Sequence, residues 1–370
     1  MTATRAPKFR VAVIGHTGRG NYGHGIDTVW LDLPECQIVA VADADPAGLA
    51  EAMKRLGTDK GFADYRAMLD EVRPDIVAIC PRWIDAHCQM VLAAAERGCH
   101  IYMEKPMCRD LEEADQMVEA CQKHNVKLAI AHQTRYSPRL RVVRQMIEDG
   151  AVGDVLEIRG RGKEDARGGA EDLWVLGSHI FNLMHVLGGE PLWCYASIRQ
   201  GDRPATRQDI RPGNEGIRFL LGDRLEAMYQ LAGGAMAYFG SRKNGQQQVN
   251  RFGVQVFGTK GVIEILTGYL PAAFYLSDGN WSPGRSGAKW VPISSQGPGM
   301  SEPLRDGGLH AGNVLACRDL LAAIEEDRQP ECSVWEGRVT IEMIQAVFAS
   351  HLSGAPVTIP LATRRDPLVG

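Results

Sequence analysis

The sequence predicts an α/β protein that opens with a parallel, doubly wound sheet and continues into a second domain. Three observations support this fold class. A chain of 370 residues is too long for one ordinary core. Strand-like and helix-like segments alternate from residue 9 to about residue 133. The second half instead holds short strand-like runs, several separated by Gly- or Asp-containing turns. We therefore expect domains over 1–133 and 134–370.

The first domain is assembled from apolar runs and amphipathic segments in regular succession. The apolar runs that predict buried strands are Phe9–Ile14, Gln37–Ala42, Asp75–Cys80, the run from His100 into Glu104, and Lys127–Ala131. Helical periodicity covers Ala86–Gly98 and Leu111–His124. This order is typical of a parallel sheet with helical crossovers.

A glycine-rich loop follows the first strand. Its predicted cofactor-binding residues are Gly15, His16, Thr17, Gly18, Arg19 and Gly20. So many glycines let backbone N–H groups approach an anion, and we expect a helix N-terminus to add its dipole. The usual G-x-G-x-x-G spacing fits only at Gly18, Gly20 and Gly23, three residues after the strand, so the motif alone is weak evidence.

Asp43 ends the second predicted strand. A carboxylate there accepts hydrogen bonds from the adenosine ribose hydroxyls in dinucleotide sites. Ala44 follows it, so no cation is evident to receive a 2′-phosphate, and NAD is favoured over NADP. The alternative is that Asp43 only caps the turn that follows, since Asp-Ala-Asp-Pro also forms a good turn.

The run His100–Pro106 carries the strongest chemical signal. Proline cannot donate to a sheet ladder, so the strand must stop there. Lys105 is then expected at the carboxyl edge of the sheet, where open α/β sheets bind ligands. Glu104 can hold the lysine or a cofactor hydroxyl. A solvated ion pair at a strand end is the alternative for an arbitrary Glu-Lys-Pro.

Together these segments resemble the Gfo/Idh/MocA oxidoreductases, the relatives of glucose–fructose oxidoreductase and inositol dehydrogenase. The resemblance covers nearly the whole chain. Besides the glycine loop and Asp43, it rests on Cys80-Pro81, His87, the Glu104-Lys105-Pro106 run, Arg135-Tyr136-Ser137-Pro138, Gly258-Thr259-Lys260-Gly261 and the helix that begins at His310.

The resemblance implies a Rossmann domain followed by an α+β domain on a large, open, mainly antiparallel sheet. It implies that NAD contacts Cys80, Pro81, His87, Glu104, Lys105 and Gln133. It also implies that family members pair through the second sheet, so we expect a homodimer or homotetramer. In the family's sugar dehydrogenases a base takes a hydroxyl proton while hydride passes to nicotinamide.

By the same resemblance Lys105 and His179 are the expected catalytic residues. The family pattern has an aspartate four residues before the histidine and often another three after it, whereas this chain has Val175 and Asn182. An aspartate one helical turn away can orient the histidine, which valine cannot do. Glu164, Glu171 or Asp172 is expected to replace this aspartate, and the sequence does not distinguish among the three. The alternative is that His179 is a core residue with its hydrogen bonds satisfied.

Several residues are expected to contact substrate: Trp83, Tyr136, Arg161, Lys163, Trp174 and His179. Tryptophan can stack on the C–H face of a sugar ring and donate from its indole N–H. Packing in a core or between subunits is the alternative for Trp83 and Trp174. Arg161 and Lys163 are expected as alternate residues at a strand end, where they could bind a carboxylate or hydroxyl or be merely solvated.

The second half is predicted to hold these strand-like runs: Val155–Gly160, Cys194–Arg199, Ile217–Leu221, Leu225–Leu231, Ala235–Phe239, Phe252–Phe257 and Val262–Ile265. Segments 200–214 and 277–308 are polar and Gly/Pro-rich, and are expected to be long irregular loops. The tail after Pro360 is expected to be an exposed end.

Composition excludes other classes of function. The formal net charge is −4 with no long basic run, so neither nucleic acid nor an anionic membrane is favoured as a partner. No apolar stretch is long enough to span a bilayer, and no signal peptide is evident. The nine cysteines form no C-x-x-C pair and are expected to be reduced thiols of a cytoplasmic protein. Histidine spacing gives no metal site.

The leading functional hypothesis is an NAD-dependent oxidoreductase that acts on a secondary hydroxyl of a sugar, cyclitol or glycoside. A second hypothesis is a redox-neutral, glycoside-modifying enzyme with tightly bound NAD, in which transient oxidation permits an elimination. A third is a non-catalytic NAD-binding regulator, which the loss of the aspartate at Val175 motivates.

Overall fold

The computed structural model describes residues 7–245 and 251–369. The chain forms two compact units. The first contains the residues up to Ala131 together with Leu309–Arg338, and the second contains His132–Gly308 and the residues from Val339 onward. The first unit thus includes Leu309–Arg338, a segment from late in the chain. The predicted division at residue 133 assigned this segment to the second domain.

The first unit has a six-stranded parallel sheet in the order β3-β2-β1-β4-β5-β6. Its strands are β1 (Phe9–Ile14), β2 (Cys36–Ala42), β3 (Gly61–Phe62), β4 (Ile76–Ile79), β5 (His100–Met103) and β6 (Leu128–Ile130). The long strands predicted from apolar runs are confirmed within one or two residues, because their side chains are buried on both faces.

Helices connect these strands: α1 (Pro46–Leu56), α2 (Tyr65–Val72), α3 (His87–Ala95) and α4 (Leu111–Lys123). Local chemistry sets their ends. The Asp45 carboxylate accepts from the Gly48 N–H at 2.7 Å and caps α1, which ends at Gly57 with φ of +68°. Asp110 caps α4 in the same way through the Glu113 N–H.

The segment between β1 and β2 differs from the prediction. No α-helix lies there; the glycine loop continues through turns into a short 3₁₀ helix, Val29–Asp32. The expected helix dipole at this loop was therefore wrong. The physical reason is visible in the loop, where Gly18, Gly20, Gly23 and Gly25 all have positive φ values, which an α-helix does not allow.

The second unit is built on an eleven-stranded, mainly antiparallel sheet, confirming the predicted α+β architecture. Along the sheet the order is β18-β17-β16-β15-β14-β7-β13-β12-β8-β19, and β9 pairs with β8. The bounds are β7 (Val155–Arg161), β8 (Pro191–Gln200), β9 (Arg203–Pro204), β12 (Arg224–Leu231), β13 (Met236–Arg242), β14 (Gly253–Gly258), β15 (Val262–Leu266), β16 (Ala273–Leu276), β17 (Trp290–Ser294), β18 (Gly297–Pro298) and β19 (Val357–Thr358). A separate small pair is β10 (Arg211–Pro212) with β11 (Phe219–Leu220).

The remaining helices are α5 (Pro138–Glu148), α6 (Ala170–Val175), α7 (Gly177–Gly188), α8 (Pro283–Ser286), α9 (Gly308–Glu326) and α10 (Val334–Ser353). Further 3₁₀ helices cover Ile84–Ala86, Gln133–Tyr136 and Arg207–Asp209. Helix α9 belongs almost entirely to the first unit, and α10 continues from the first unit into the second.

Helix α7 lies on the inner face of the second sheet. Phe181 packs against Phe239 and Tyr229, with ring centroids 4.8 Å and 5.6 Å apart. The close approach depends on Gly160 in β7, since a Cβ there would lie 2.3 Å from a methyl carbon of Ile180. A glycine in this strand therefore sets how near α7 comes to the sheet.

Three expectations for the second half were wrong. Only Phe219–Leu220 of the predicted Ile217–Leu221 strand is a strand, and it lies outside the main sheet. The two expected irregular loops contain regular elements: segment 200–214 holds β9, a 3₁₀ helix and β10, and segment 277–308 holds α8, β17 and β18, of which β17 extends the sheet. The tail after Pro360 is anchored, because Leu361 and Leu368 are buried and the Leu361 N–H donates to Glu342 at 2.7 Å.

All nine cysteines are free, as predicted, and all but Cys36 are buried. Burial raises the pKa of the Cys88 and Cys121 thiols to about 12. Within residues 7–245 and 251–369, no helix is long and apolar enough to cross a membrane.

Candidate functional site

Asp43 lies at the carboxyl end of β2, where the sequence predicted it. Its carboxylate accepts from the hydroxyls of Thr17 (2.7 Å) and Tyr22 (2.9 Å), and from the N–H groups of Thr17 and Asp45. The hydrogen bond from the Asp45 N–H is the turn cap that was considered as the alternative role of Asp43. Asp43 thus ties the glycine loop to the tip of β2, a role the sequence did not reveal.

The glycine loop closes on itself. His16 and Asn21 form a two-way backbone bridge, and the Gly18 N–H donates to the Asn21 side chain at 2.9 Å. A Cβ on Gly20 would lie 2.4 Å from the Arg82 backbone nitrogen, so only glycine fits against the loop that follows β4. Several amides of this loop therefore bond within the protein.

A cavity of about 430 Å³ opens beside this loop. Its lining includes Gly15, Asp43, Tyr65, Arg66 and Met90. That volume falls within the roughly 300–1,000 Å³ common for small-molecule pockets. A carboxylate, backbone groups and apolar walls at the tips of β1 and β2 fit the adenosine part of a dinucleotide. Arg66, whose guanidinium lies 4.5 Å from the Tyr65 ring centroid, is a cation the sequence analysis missed.

Lys105 lies directly beyond β5 and is 6% exposed. Glu104 beside it is fully buried, and its carboxylate accepts from the Lys105 N–H at 2.9 Å and from the His24 N–H. The His24 Nδ1 lies 2.5 Å from the same carboxylate. Burial alone would raise the Glu104 pKa, but the His24 hydrogen bond and the charges of His24 and Lys105 outweigh it and lower that pKa.

His24 is itself held by helix α9. The Asn313 amide donates to the His24 carbonyl at 3.0 Å, and its oxygen accepts from the Tyr102 hydroxyl at 2.8 Å. Asn313 is fully buried and lies 289 residues from His24 in sequence. The sequence pattern marked the start of this helix but did not indicate its contact with the Glu104 cluster.

His87 has a structural position that differs from the cofactor contact expected of it. It is fully buried, with Nε2 2.7 Å from the Pro81 carbonyl and Nδ1 3.0 Å from that of Pro106. It therefore joins the loop after β4 to the loop after β5. This arrangement positions Pro81 and Lys105-Pro106. The contact of the His87 ring with the cofactor stays a prediction.

Trp83 and Arg19 form a further connection in the first unit. The Arg19 guanidinium lies 4.8 Å from the Trp83 ring centroid and forms an ion pair with Asp85. Trp83 is half-buried. Cys80, directly after β4, is fully buried, and its carbonyl lies where a Cβ on Gly23 would clash.

In the second unit, His179 is on α7 and is half-buried. Its Nδ1 lies 3.3 Å from Nδ1 of His132, and the two rings are nearly perpendicular at 88°. Phe252 contacts the His179 ring edge to face, with centroids 6.2 Å apart. His132 could not be predicted from the sequence, because 47 residues separate it from His179 and no local spacing connects them.

Each carboxylate considered as a replacement for the missing aspartate has another identified partner. Asp172 is fully buried and accepts from the Ser241 hydroxyl (2.5 Å) and from two backbone N–H groups. Burial raises the Asp172 pKa, although these bonds partly oppose the effect. Glu164 pairs with Arg161 and Arg251, and Glu171 accepts from Asn214.

Arg161 ends β7, but Lys163 lies beyond the strand, so the expected pair of alternate strand residues was wrong. Arg161 forms ion pairs with Glu164 and Glu226. The Lys163 ammonium is 3.7 Å from Asp165, and its backbone N–H donates to Asp172. The Asp172 carboxylate thus holds the backbone that follows β7.

The other predicted substrate and cofactor residues of this unit are buried. Trp174 is 2% exposed, and neither its indole N–H nor the Ser178 hydroxyl has a hydrogen-bond partner among the residues that the structure describes. Its burial agrees with the packing alternative. Gln133 and Tyr136 lie in the 3₁₀ helix before α5 and are 4% and 7% exposed. In the part of the chain that the structure describes, no three His, Cys, Asp or Glu residues are grouped as a metal site.

Comparison with known proteins agrees with this geometry. A model described as an oxidoreductase family with an NAD-binding Rossmann fold matches residues 9–132. Its companion, a C-terminal alpha/beta domain, matches residues 144–359. The chain belongs to the Gfo/Idh/MocA oxidoreductase family. Its first unit is accordingly an NAD-binding Rossmann domain.

Two curated relatives illustrate the range of this family. Levoglucosan dehydrogenase of Pseudarthrobacter phenanthrenivorans is 26% identical over 249 residues, which are 60% of this chain and 63% of the relative. Myo-inositol 2-dehydrogenase of Thermotoga maritima is 23% identical over 69% of this chain and 74% of its own length. The match to the first relative thus covers less than two thirds of its length.

The structure of levoglucosan dehydrogenase in complex with NADH and levoglucosan has the same fold. Its TM-score is 0.77 at 22% identity, over 95% of this chain and 99% of that one. At 22% sequence identity, this structural similarity establishes a shared fold.

Proposed function

We propose that this Gfo/Idh/MocA protein is an NAD-dependent dehydrogenase that oxidises a secondary hydroxyl of a sugar, cyclitol or glycoside. The observation that carries the proposal is Lys105. It follows β5, which lies between β4 and β6, at the ligand-binding edge of a Rossmann sheet, and it is almost fully buried beside the ionised carboxylate of Glu104. An ammonium so placed is a good candidate for a proton-transfer group.

The cofactor assignment follows from the first unit. We assign the adenosine part of NAD to the cavity lined by Gly15, His16 and Asp43, with Tyr65 and Met90 as its other walls. Glycine-loop residues 15–20, Cys80 and Pro81 are proposed contacts for the rest of the cofactor. Bound NAD supplies the acceptor for the hydride that leaves the substrate carbon.

The acid–base groups are proposed from each unit separately. Lys105 is the candidate in the first unit, and a lysine desolvated by bound ligands has its pKa lowered toward the working range. His179 is the candidate in the second unit, because imidazole exchanges protons near neutral pH. Each is proposed by itself as a group that can take the hydroxyl proton, and variants of each test its share.

The substrate class is proposed from the relatives. The two relatives named above are dehydrogenases of an anhydrosugar and a cyclitol. Both are polyhydroxylated rings with secondary alcohols. In the first unit, Trp83 is the aromatic ring of the predicted set that remains half-buried, and we propose it as a substrate contact. Within the second unit, we propose Tyr136 and Lys163 as substrate contacts.

The deciding experiment is a substrate panel followed at the absorbance band of the reduced cofactor. Purified protein is incubated with NAD and individual sugars, cyclitols and glycosides, and both NADH and product are measured. We expect stoichiometric NADH and ketone for one group of compounds. Product without net NADH would favour the redox-neutral alternative. Cofactor binding with no turnover across the panel would favour the regulator.

Assembly and location are also proposals. The outer face of the second sheet carries Tyr195 and Tyr238, 40% and 37% exposed, on either side of Met228 in register across three strands. An exposed apolar stripe on an open sheet is typical of a protein interface. We propose that two copies pair through this face, as a homodimer or within a homotetramer. The nine free cysteines support a cytoplasmic location.

A further inference from the structure

We propose that His132 is a positioning residue for His179. In this proposal the Nδ1–H of His179 donates to Nδ1 of His132, so that His179 carries its lone pair on Nε2, the nitrogen that exchanges a proton with the substrate. The inference rests on the proposed function of His179 and deepens it. It assigns to His132 the orienting role that an aspartate at Val175 would otherwise fill.

The geometry supports a specific contact between the two rings. The Nδ1 atoms are 3.3 Å apart, and the ring planes cross at 88° with centroids 5.0 Å apart. His132 is only 2% exposed, so its ring has little freedom to turn away. Its carbonyl accepts from the Arg135 N–H at 2.9 Å at the start of the 3₁₀ helix, which fixes the backbone that carries it.

Two Nδ1 atoms at this distance share a single proton, and its position decides the chemistry. If His179 carries it, His179 can gain a second proton on Nε2 and still donate from Nδ1 to His132. If His132 carries it, protonation of His179 on both nitrogens sets two N–H groups against each other. Only the first arrangement persists through a proton-transfer cycle in which Nε2 accepts the hydroxyl proton and later releases it to solvent.

The surroundings explain why an imidazole takes this role here. Val175, four residues before His179, is the last residue of α6 and has no polar side-chain atom. Asp172, the nearest carboxylate in sequence, already accepts from Ser241 and from the N–H groups of Lys163 and Glu164. His132 instead comes from another element, the loop after β6, and supplies a neutral acceptor.

Two variants separate orientation from packing. His132→Phe keeps an aromatic ring of similar size but removes the acceptor. His132→Asn places an amide oxygen close to the position of Nδ1 and keeps the acceptor. The first measurement needs no substrate: nitrogen-15 NMR of the histidine rings, with the His179 signals identified by their loss in His179→Ala.

We expect wild-type protein and His132→Asn to show His179 protonated on Nδ1, and His132→Phe to show a shift toward the Nε2–H tautomer. With a substrate from the panel, His132→Phe should lower kcat by about 10- to 1,000-fold, below the roughly 10⁴-fold loss known for a wrongly oriented triad histidine. KM and NAD affinity should change less than about threefold, and His132→Asn should recover most of kcat.

An unchanged His179 tautomer in His132→Phe would overturn the proposal. Equal losses in His132→Phe and His132→Asn with a lowered melting temperature would also overturn it, since that result marks a packing role. If His179→Ala keeps wild-type turnover, the catalytic assignment of His179 fails instead. The tautomer measurement on the unliganded protein keeps these two failures distinct.

Discussion

The carboxylate of Glu104 and the imidazole of His24 are 2.5 Å apart, and this contact connects the Lys105 strand end to the glycine loop. His24 is in turn held by Asn313 of α9. A buried carboxylate with a lowered pKa, placed between the predicted catalytic lysine and the cofactor loop, makes this cluster a source of pH-dependent stability.

We expect Glu104→Gln to lower the stability of the first unit by about 2 kcal/mol at pH 7, from the loss of hydrogen bonds to a charged group. Because the folded-state pKa of Glu104 lies below its ordinary value of about 4.3, its contribution is present above that value and is lost as the pH falls through the folded-state pKa. The difference in the free energy of unfolding between wild type and variant should therefore become smaller at acid pH.

Urea unfolding at pH 7 and at stepwise lower pH measures this effect. The matched control is Glu325→Gln, which breaks the exposed Lys8–Glu325 ion pair and should cost less than about 1 kcal/mol at every pH. A Glu104→Gln protein whose stability deficit grows toward acid pH would contradict the assigned direction.

Asp43 should determine cofactor choice. Its carboxylate repels a 2′-phosphate, so calorimetry should show NAD binding more tightly than NADP, and Asp43→Ala should narrow the gap. Because Asp43 also holds Thr17 and Tyr22, the variant should weaken NAD binding as well.

Tyr22→Phe is the control for that second effect. Burial and the hydrogen bond to Asp43 raise the Tyr22 pKa, so its hydroxyl stays a donor to the carboxylate. Removing the hydroxyl should loosen the loop yet leave the preference for NAD intact. Equal or tighter binding of NADP by the wild type would refute the assignment and direct attention to Arg66 in the same cavity.

Lys105→Ala should lower kcat by about 10²- to 10⁴-fold, the range for a lost acid–base group, while NAD still binds. His179→Ala should cause a similar loss. The control is Lys54→Ala, on the exposed face of α1, which should keep full turnover. Steady-state kinetics on a verified substrate measure these losses. Wild-type turnover in Lys105→Ala would show that Lys105 has no role in the mechanism.

Tyr238→Arg should disrupt assembly. It places a charge in the exposed stripe of the second sheet, next to Met228 and across it from Tyr195, and desolvating that charge in an interface is costly. Light scattering at micromolar concentration should show a dimer or tetramer for wild type and a smaller species for the variant. Leu31→Arg, an exposed position in the first unit, serves as control. A monomeric wild type would contradict the proposed interface.

The predictions from sequence were most accurate where structure depends on near neighbours. Strands β1, β2, β4, β5 and β6 and helices α3 and α4 agree closely with the apolar runs and helical periods. The agreement fails after β1. The glycines there predicted a phosphate-binding loop followed by a helix. They have positive φ values instead, and the segment forms a closed loop.

The sequence by itself determined the parallel sheet, the family and the place of Lys105, because a short apolar run that stops at a proline has few alternatives. Tertiary structure alone decided that Asp43 binds Tyr22, that Asn313 supports His24, and that His132 meets His179. These pairs are 21, 289 and 47 residues apart. No local propensity links such positions; only the packing of strands and helices sets which polar groups become neighbours.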